Sequence, residues 1–247
     1  MRASLSDGVS SSVGRASQRP QRAWPSRPEV ASAPHRGQAK AISQARATAP
    51  EVTIASVRDR WTALLDDVRD WCEGRSAPVR APLLLYMAYV GMRHLLDTDY
   101  GSLLAPLNLG IHEGGHLAFG WLGWRFLTVA AGTLAQLAAP VAAGVMFARQ
   151  PDWFAACFSG TWLATNLYNV ATYAADAREM DLPLVTVGDG ECVDTCHDWN
   201  YMLQALHLLP FDTTIAALLR LLAFGVEWAS VAAGAWMLLA MLRSRRS

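Results

Sequence analysis

Five consecutive residues, His112-Glu113-Gly114-Gly115-His116, combine two metal-binding side chains with a carboxylate between them. On a helix, residues four apart lie one above the other, so both imidazoles can reach one metal ion. Glu113 is then placed to take a proton from water at the same spot, which is the chemistry of a zinc hydrolase. With six histidines in 247 residues, such a pattern would arise by chance only about 0.004 times per chain. Coincidence is therefore a poor explanation. The motif sits within an apolar stretch from Ser102 to Leu122 that is long enough to cross a bilayer. Charged groups at that depth cost roughly 2.5 to 3.5 kcal/mol each on the insertion scale, and they usually face a protein interior or a water-filled cavity.

Two histidines do not complete a catalytic zinc site, which takes three protein ligands and keeps one position open. One source of the third is the stretch from 153 to 175, where Asn166, Asn169, Tyr173 and then Asp176 recur at steps of three and four and form a single polar stripe. Asp176 would supply a carboxylate oxygen, or else be a solvated acid paired with Arg178 where the helix leaves the membrane, while Asn166 and Asn169 could hold the substrate backbone or a histidine. The rival is His197, followed by Asp198 and Trp199 at the start of a short apolar piece. There Asp198 could equally be a helix cap and Trp199 an interfacial anchor. Cys192, Cys196 and His207 are weaker candidates. Gly114 and Gly115 each cost a helix about 1 kcal/mol relative to Ala. Their presence calls for another backbone approaching closely, either a neighbouring span or an extended substrate.

The elements that must position these residues are apolar helices. The chain is 52% hydrophobic and only 17% charged, with ten Trp, and the apolar excess lies after Pro78. Five stretches, about 81 to 97, 102 to 122, 126 to 147, 153 to 175 and 212 to 242, approach or exceed the length of a span. The expected fold is all-α, a polytopic membrane protein with five to six transmembrane helices. Residues 197 to 209 are too short to cross and read as a re-entrant or interfacial piece. Arg75 and Arg80 before the first span, and Arg243, Arg245 and Arg246 after the last, put both ends in the cytoplasm. That requires an even number of crossings, which five spans do not give, so either the 197 to 209 piece completes a sixth crossing together with its neighbours or the final stretch, 212 to 242, is not one simple span. Gly132, Gln136 and Pro140 mark polar, broken helix at membrane depth. Arg93 and His94 are expected to snorkel or pair with the site.

Three regions result. Residues 1 to 50 are rich in Ser, Arg, Ala and Pro and form an expected disordered arm. They suit a transit peptide, or a misplaced start codon, since Ser11 to Ser17 resembles translation across a transfer-RNA gene. Residues 51 to 75 carry Ile54, Val57, Trp61, Leu64, Leu65, Val68 and Trp71 at helical spacing, as in an amphipathic surface helix. Residues 76 to 247 hold the spans. No internal repeat is visible. Zero net charge gives no basic face, so nucleic acid is not an expected partner. Four cysteines without a CxxC pair give neither a disulfide framework nor a zinc ribbon, although Cys192 and Cys196 could pair locally.

A membrane-embedded HExxH, then a span with small residues and a break from Gly132 to Pro140, then a span with asparagines ending in an acid, resembles the site-2-protease family of intramembrane zinc proteases. The resemblance covers about residues 100 to 180. It implies that His112 and His116 bind Zn2+, that Glu113 is the general base, and that Asp176 is the third ligand. The family acid usually stands in an Asn-Pro then Asp-Gly setting, and here it is Ala175-Asp176-Ala177, as in a diverged member. The implied activity is hydrolysis of a peptide bond in a membrane-associated protein or peptide, within the lipid bilayer, at a bacterial inner membrane. The alternatives are an inactive membrane scaffold or transporter-type protein that keeps the motif, and a di-iron oxidase, which would need a second Glu-x-x-His pair where Glu113 to His116 is the only one.

Overall fold

The computed structural model describes residues 54–182 and 197–244. Among these residues the fold is all-α. We name the helices α1 (Ile54–Cys72), α2 (Ala77–Leu96), α3 (Ala105–Gly120), α4 (Arg125–Arg149), α5 (Trp153–Ala175), α6 (Asp198–Ala205) and α7 (Asp212–Ser244). A 3-10 turn, Leu209–Phe211, leads into α7. The expected disordered arm and the Cys192–Cys196 pair lie outside the described residues.

Local chemistry sets several boundaries. Pro78 and Pro106 occupy first-turn positions of α2 and α3, where a missing N–H costs nothing. Asp152 caps α5, its side chain accepting the N–H of Ala155 at 3.2 Å. Gly123, at φ +69°, turns the chain between α3 and α4 in a conformation that favours glycine.

Helix α5 is the most enclosed element, lying between α4 and α7, and α3 packs on the outer side of α4. Helix α2 packs on α7 and α5, and α1 reaches α7. The C-terminal end of α1 is more than a surface helix. Val68, Trp71 and Cys72 are buried with Ala77, Phe154, Met237 and Met241 where α1, α2, α5 and α7 meet. The other half of the amphipathic pattern stays outside, with Val57, Trp61 and Leu65 exposed.

Two segments, Arg125–Arg149 and Leu209–Ser244, are long and apolar enough to cross a membrane. Large apolar side chains, among them Leu85, Leu96, Leu117, Trp121 and Leu221, are exposed around the bundle. Apolar exposure on this scale fits contact with lipid. The sequence left open whether residues 197 to 209 complete a further crossing. Helix α6 has eight residues, about 12 Å, which is too short for that, while α7 runs unbroken for 33 residues. The expected break at Gly132 to Pro140 is corrected as well. Helix α4 is continuous through Pro140, and residues 132, 136 and 140, each four apart, are all buried on one face.

Candidate metal centre

The motif lies on α3 as its spacing requires, with His112 buried and Glu113 and His116 half-buried. Helix α3 meets α4 through glycine. A Cβ added to Gly115 would collide with the Ala131 carbonyl oxygen, so the backbones touch there. Gly114, by contrast, has nothing within 4 Å of such a Cβ. The close approach inferred from the glycine pair is thus made by Gly115 against the neighbouring helix.

Hydrogen bonds fix both rings. His116 Nδ1–H donates to the Thr128 carbonyl at 2.8 Å. His112 Nδ1–H donates to Gln136 Oε1 at 3.0 Å, and Gln136 Nε2 in turn donates to Asn169 Oδ1 at 3.0 Å. A proton held on each Nδ1 leaves each neutral ring a lone pair on Nε2. The two Nε2 atoms face the same oxygen, Asp198 Oδ2, at 2.9 and 3.1 Å. His112, His116 and Asp198 place their ligand atoms within 4.8 Å of one another. Ligands 2.0–2.1 Å from a tetrahedral zinc stand about 3.3 Å apart, close to the separations from Asp198.

Two lone pairs and a carboxylate oxygen repel one another unless a cation lies among them, so this donor set fits a zinc ion. A second observation agrees. A Cβ on Gly132 would fall 2.5 Å from His116 Nε2 and 2.7 Å from His112 Nε2. The wall of α4 is bare at the place where the ligand atoms converge.

The third member of the cluster differs from the sequence expectation: it is Asp198, not Asp176 or His197. Asp176 ends α5, but its oxygens accept the N–H groups of Asp181 and Leu182, and Oδ2 also accepts from His197 Nε2 at 3.2 Å. Its carboxylate is directed at this turn, away from the imidazoles of α3. His197 is not a ligand in this arrangement either. It caps α6, its Nδ1 accepting the N–H of Asn200, and it presents the next residue, Asp198, to the histidines. The chain turns back between α5 and α6, so the acid passed over as a cap is the one that arrives. Nor does Arg178 pair with Asp176; it reaches Asp212 at 2.6 Å.

The polar stripe on α5 divides. Asn169 is exposed to a cavity of about 720 Å³, whose wall also includes His112, Glu113, His116, Tyr173 and Asp198. Asn166 is fully buried and donates to the Trp162 carbonyl, so it is packed in the helix interior and does not line the cavity. His94 does line it, stacked on Tyr168 at 4.4 Å. Its neighbour Arg93 reaches out to Asp97. His207 is exposed at the end of α6. Gln136 carried a signal in sequence, as a polar residue at membrane depth, although not one that named its partner.

Compared with protein families, with curated proteins and with solved structures, the chain matches none.

Proposed function

We propose that this protein is a zinc-dependent intramembrane peptidase that hydrolyses a peptide bond of a membrane-associated protein or peptide. The observation that carries the proposal is the convergence of His112 Nε2, His116 Nε2 and Asp198 Oδ2 beside Glu113 in one cavity. In this reading His112, His116 and Asp198 hold the ion. Asn169 and Gln136 keep the His112 ring turned towards it, and the Thr128 carbonyl does the same for His116.

When bound, zinc supplies Lewis-acid polarisation of the scissile carbonyl and makes water acidic enough to lose a proton near neutral pH. Glu113 accepts that proton and returns it to the leaving amine. Asn169 offers its amide to the backbone of a substrate lying in the cavity. A substrate helix has to unwind to enter, because its own hydrogen bonds and side chains shield its peptide groups. The further proposal for placement is a multi-pass protein of a bacterial inner membrane, with α2, α3, α4, α5 and α7 crossing and α6 dipping towards the site from one side; this odd number of crossings puts the two ends on opposite faces, in place of the expected pair of cytoplasmic ends. Exposed Leu85, Leu117 and Leu221 on three of those helices support this.

The test is metal analysis of the purified full chain with cleavage of membrane peptides. The wild type should carry about one zinc per chain. Glu113→Gln should keep the zinc, since all ligands remain, and lose about 10² to 10⁴ fold in hydrolysis. Full activity in Glu113→Gln would overturn the assignment of the base. A zinc-loaded wild type that cleaves nothing would favour a scaffold that keeps the motif.

A further inference from the structure

Asp198 reaches the histidines from a short helix 86 residues beyond His112 in sequence, and an eight-residue helix does not hold an orientation by itself. What holds it is a set of side chains at the end of α5. His197 is 2% exposed and both of its ring nitrogens are engaged. Nδ1 accepts the Asn200 N–H at 3.1 Å, which leaves the proton on Nε2, and Nε2–H donates to Asp176 Oδ2 at 3.2 Å. Tyr173 lies against the ring with centroids 4.2 Å apart, and its hydroxyl oxygen accepts the backbone N–H of Asp198 at 3.3 Å. Asn200 Nδ2 donates to the Ala177 carbonyl at 2.7 Å. The Asp176 carboxylate also gathers the N–H groups of Asp181 and Leu182, so it is itself fixed in direction.

We infer that Asp176 and His197 form a positioning pair that delivers Asp198 to the metal, so that zinc affinity depends on two residues that never touch the ion. The inference rests on the metal reading proposed above. The ring of His197 links two demands. Through Nδ1 it starts α6, and through Nε2 it ties that start to α5. A carboxylate one peptide unit further on then has a fixed origin, with its own N–H held by Tyr173. Aspartate suits position 176 because a carboxylate has enough lone pairs for two backbone donors and the imidazole together.

The experiment measures zinc affinity of the detergent-solubilised full chain by chelator competition, and the visible absorption of the Co2+-loaded protein. The variants are Asp176→Ala, Asp176→Asn, His197→Ala and His197→Gln, with Asp198→Ala as reference. Asp176→Ala and His197→Ala should each weaken zinc by about 10- to 100-fold, the usual loss for partners that orient a ligand. Each should also change the cobalt spectrum, with helical content kept. The double variant Asp176→Ala/His197→Ala should lose little more than either single one, because both cut the same link. Asp176→Asn and His197→Gln, which retain part of the hydrogen bonding, should fall between these and the wild type, and they carry the test if an alanine variant does not accumulate. Unchanged affinity and spectrum in these variants, with a wild type that binds zinc, would overturn the pair alone. Zinc abolished by Asp176→Ala but kept by Asp198→Ala would overturn it by making Asp176 the ligand. A wild type that takes up neither zinc nor cobalt would overturn the metal reading and the pair with it.

Discussion

The two walls of the site are built differently. On the histidine wall, α3 and α4 meet backbone to backbone, with Gly115 against the Ala131 carbonyl and Gly132 against the imidazoles. On the acid wall, Asp198 is held by side chains, through His197, Asp176 and Tyr173. A wall of touching backbones has no slack, because interiors are close-packed and a single methyl must displace something. A wall of side-chain hydrogen bonds gives way by degrees. The first should fail abruptly when altered and the second gradually.

The largest effect is expected from the ligands themselves. His112→Ala, His116→Ala or Asp198→Ala should each reduce bound zinc to a trace, measured as metal per chain after dialysis. Equal loss from all three would show that the walls contribute alike at the ion, whatever holds them. Next comes Gly132→Ala, which removes no ligand but sets a methyl 2.5 to 2.7 Å from both Nε2 atoms. Zinc uptake should be nearly abolished while circular dichroism still reports the helices. Full metal content in that variant would show that α4 can slide, and the contrast between the walls would disappear. Gln136→Ala should be milder. It frees His112 Nδ1 of its partner and should weaken zinc by about 10- to 100-fold in chelator competition. The smallest change is expected one residue from the most crowded position. Gly114→Ala meets nothing within 4 Å, so metal content should stay and helix stability should rise by up to about 1 kcal/mol, seen as a higher Tm.

Much of the scaffold was legible because it is local. The apolar stretch 153 to 175 is α5 to the residue, and 81 to 97 falls within one residue of the end of α2. Apolar runs of that length have few ways to satisfy their backbone except as helix. The histidine wall was legible for a similar reason, since His112, Glu113 and His116 lie within five positions and helical geometry fixes their relation. Gly115 announced a close approach without naming Ala131. The acid wall could not be read in the same way. Asp176 and His197 meet and Asp198 follows directly, but which of the three faces the histidines depends on how the chain returns after α5. Nothing in the residue types states that His197 faces Asp176 while Asp198 faces α3. Proline misled in the opposite direction. Pro140 suggested a break, yet packing carries α4 straight through it, as happens where neighbouring helices support the interrupted turn.

The wide separation of the ligands in sequence has a consequence for how the protein is made. His112 and His116 are translated early, whereas Asp198 is added 86 residues after His112. Until then a nascent chain has two imidazoles and no carboxylate to join them, and two donors retain zinc far less well than three. On the zinc reading proposed above, loading is postponed to a stage when α3, α4 and α5 have already been translated, and the ion joins the beginning of the site to its end.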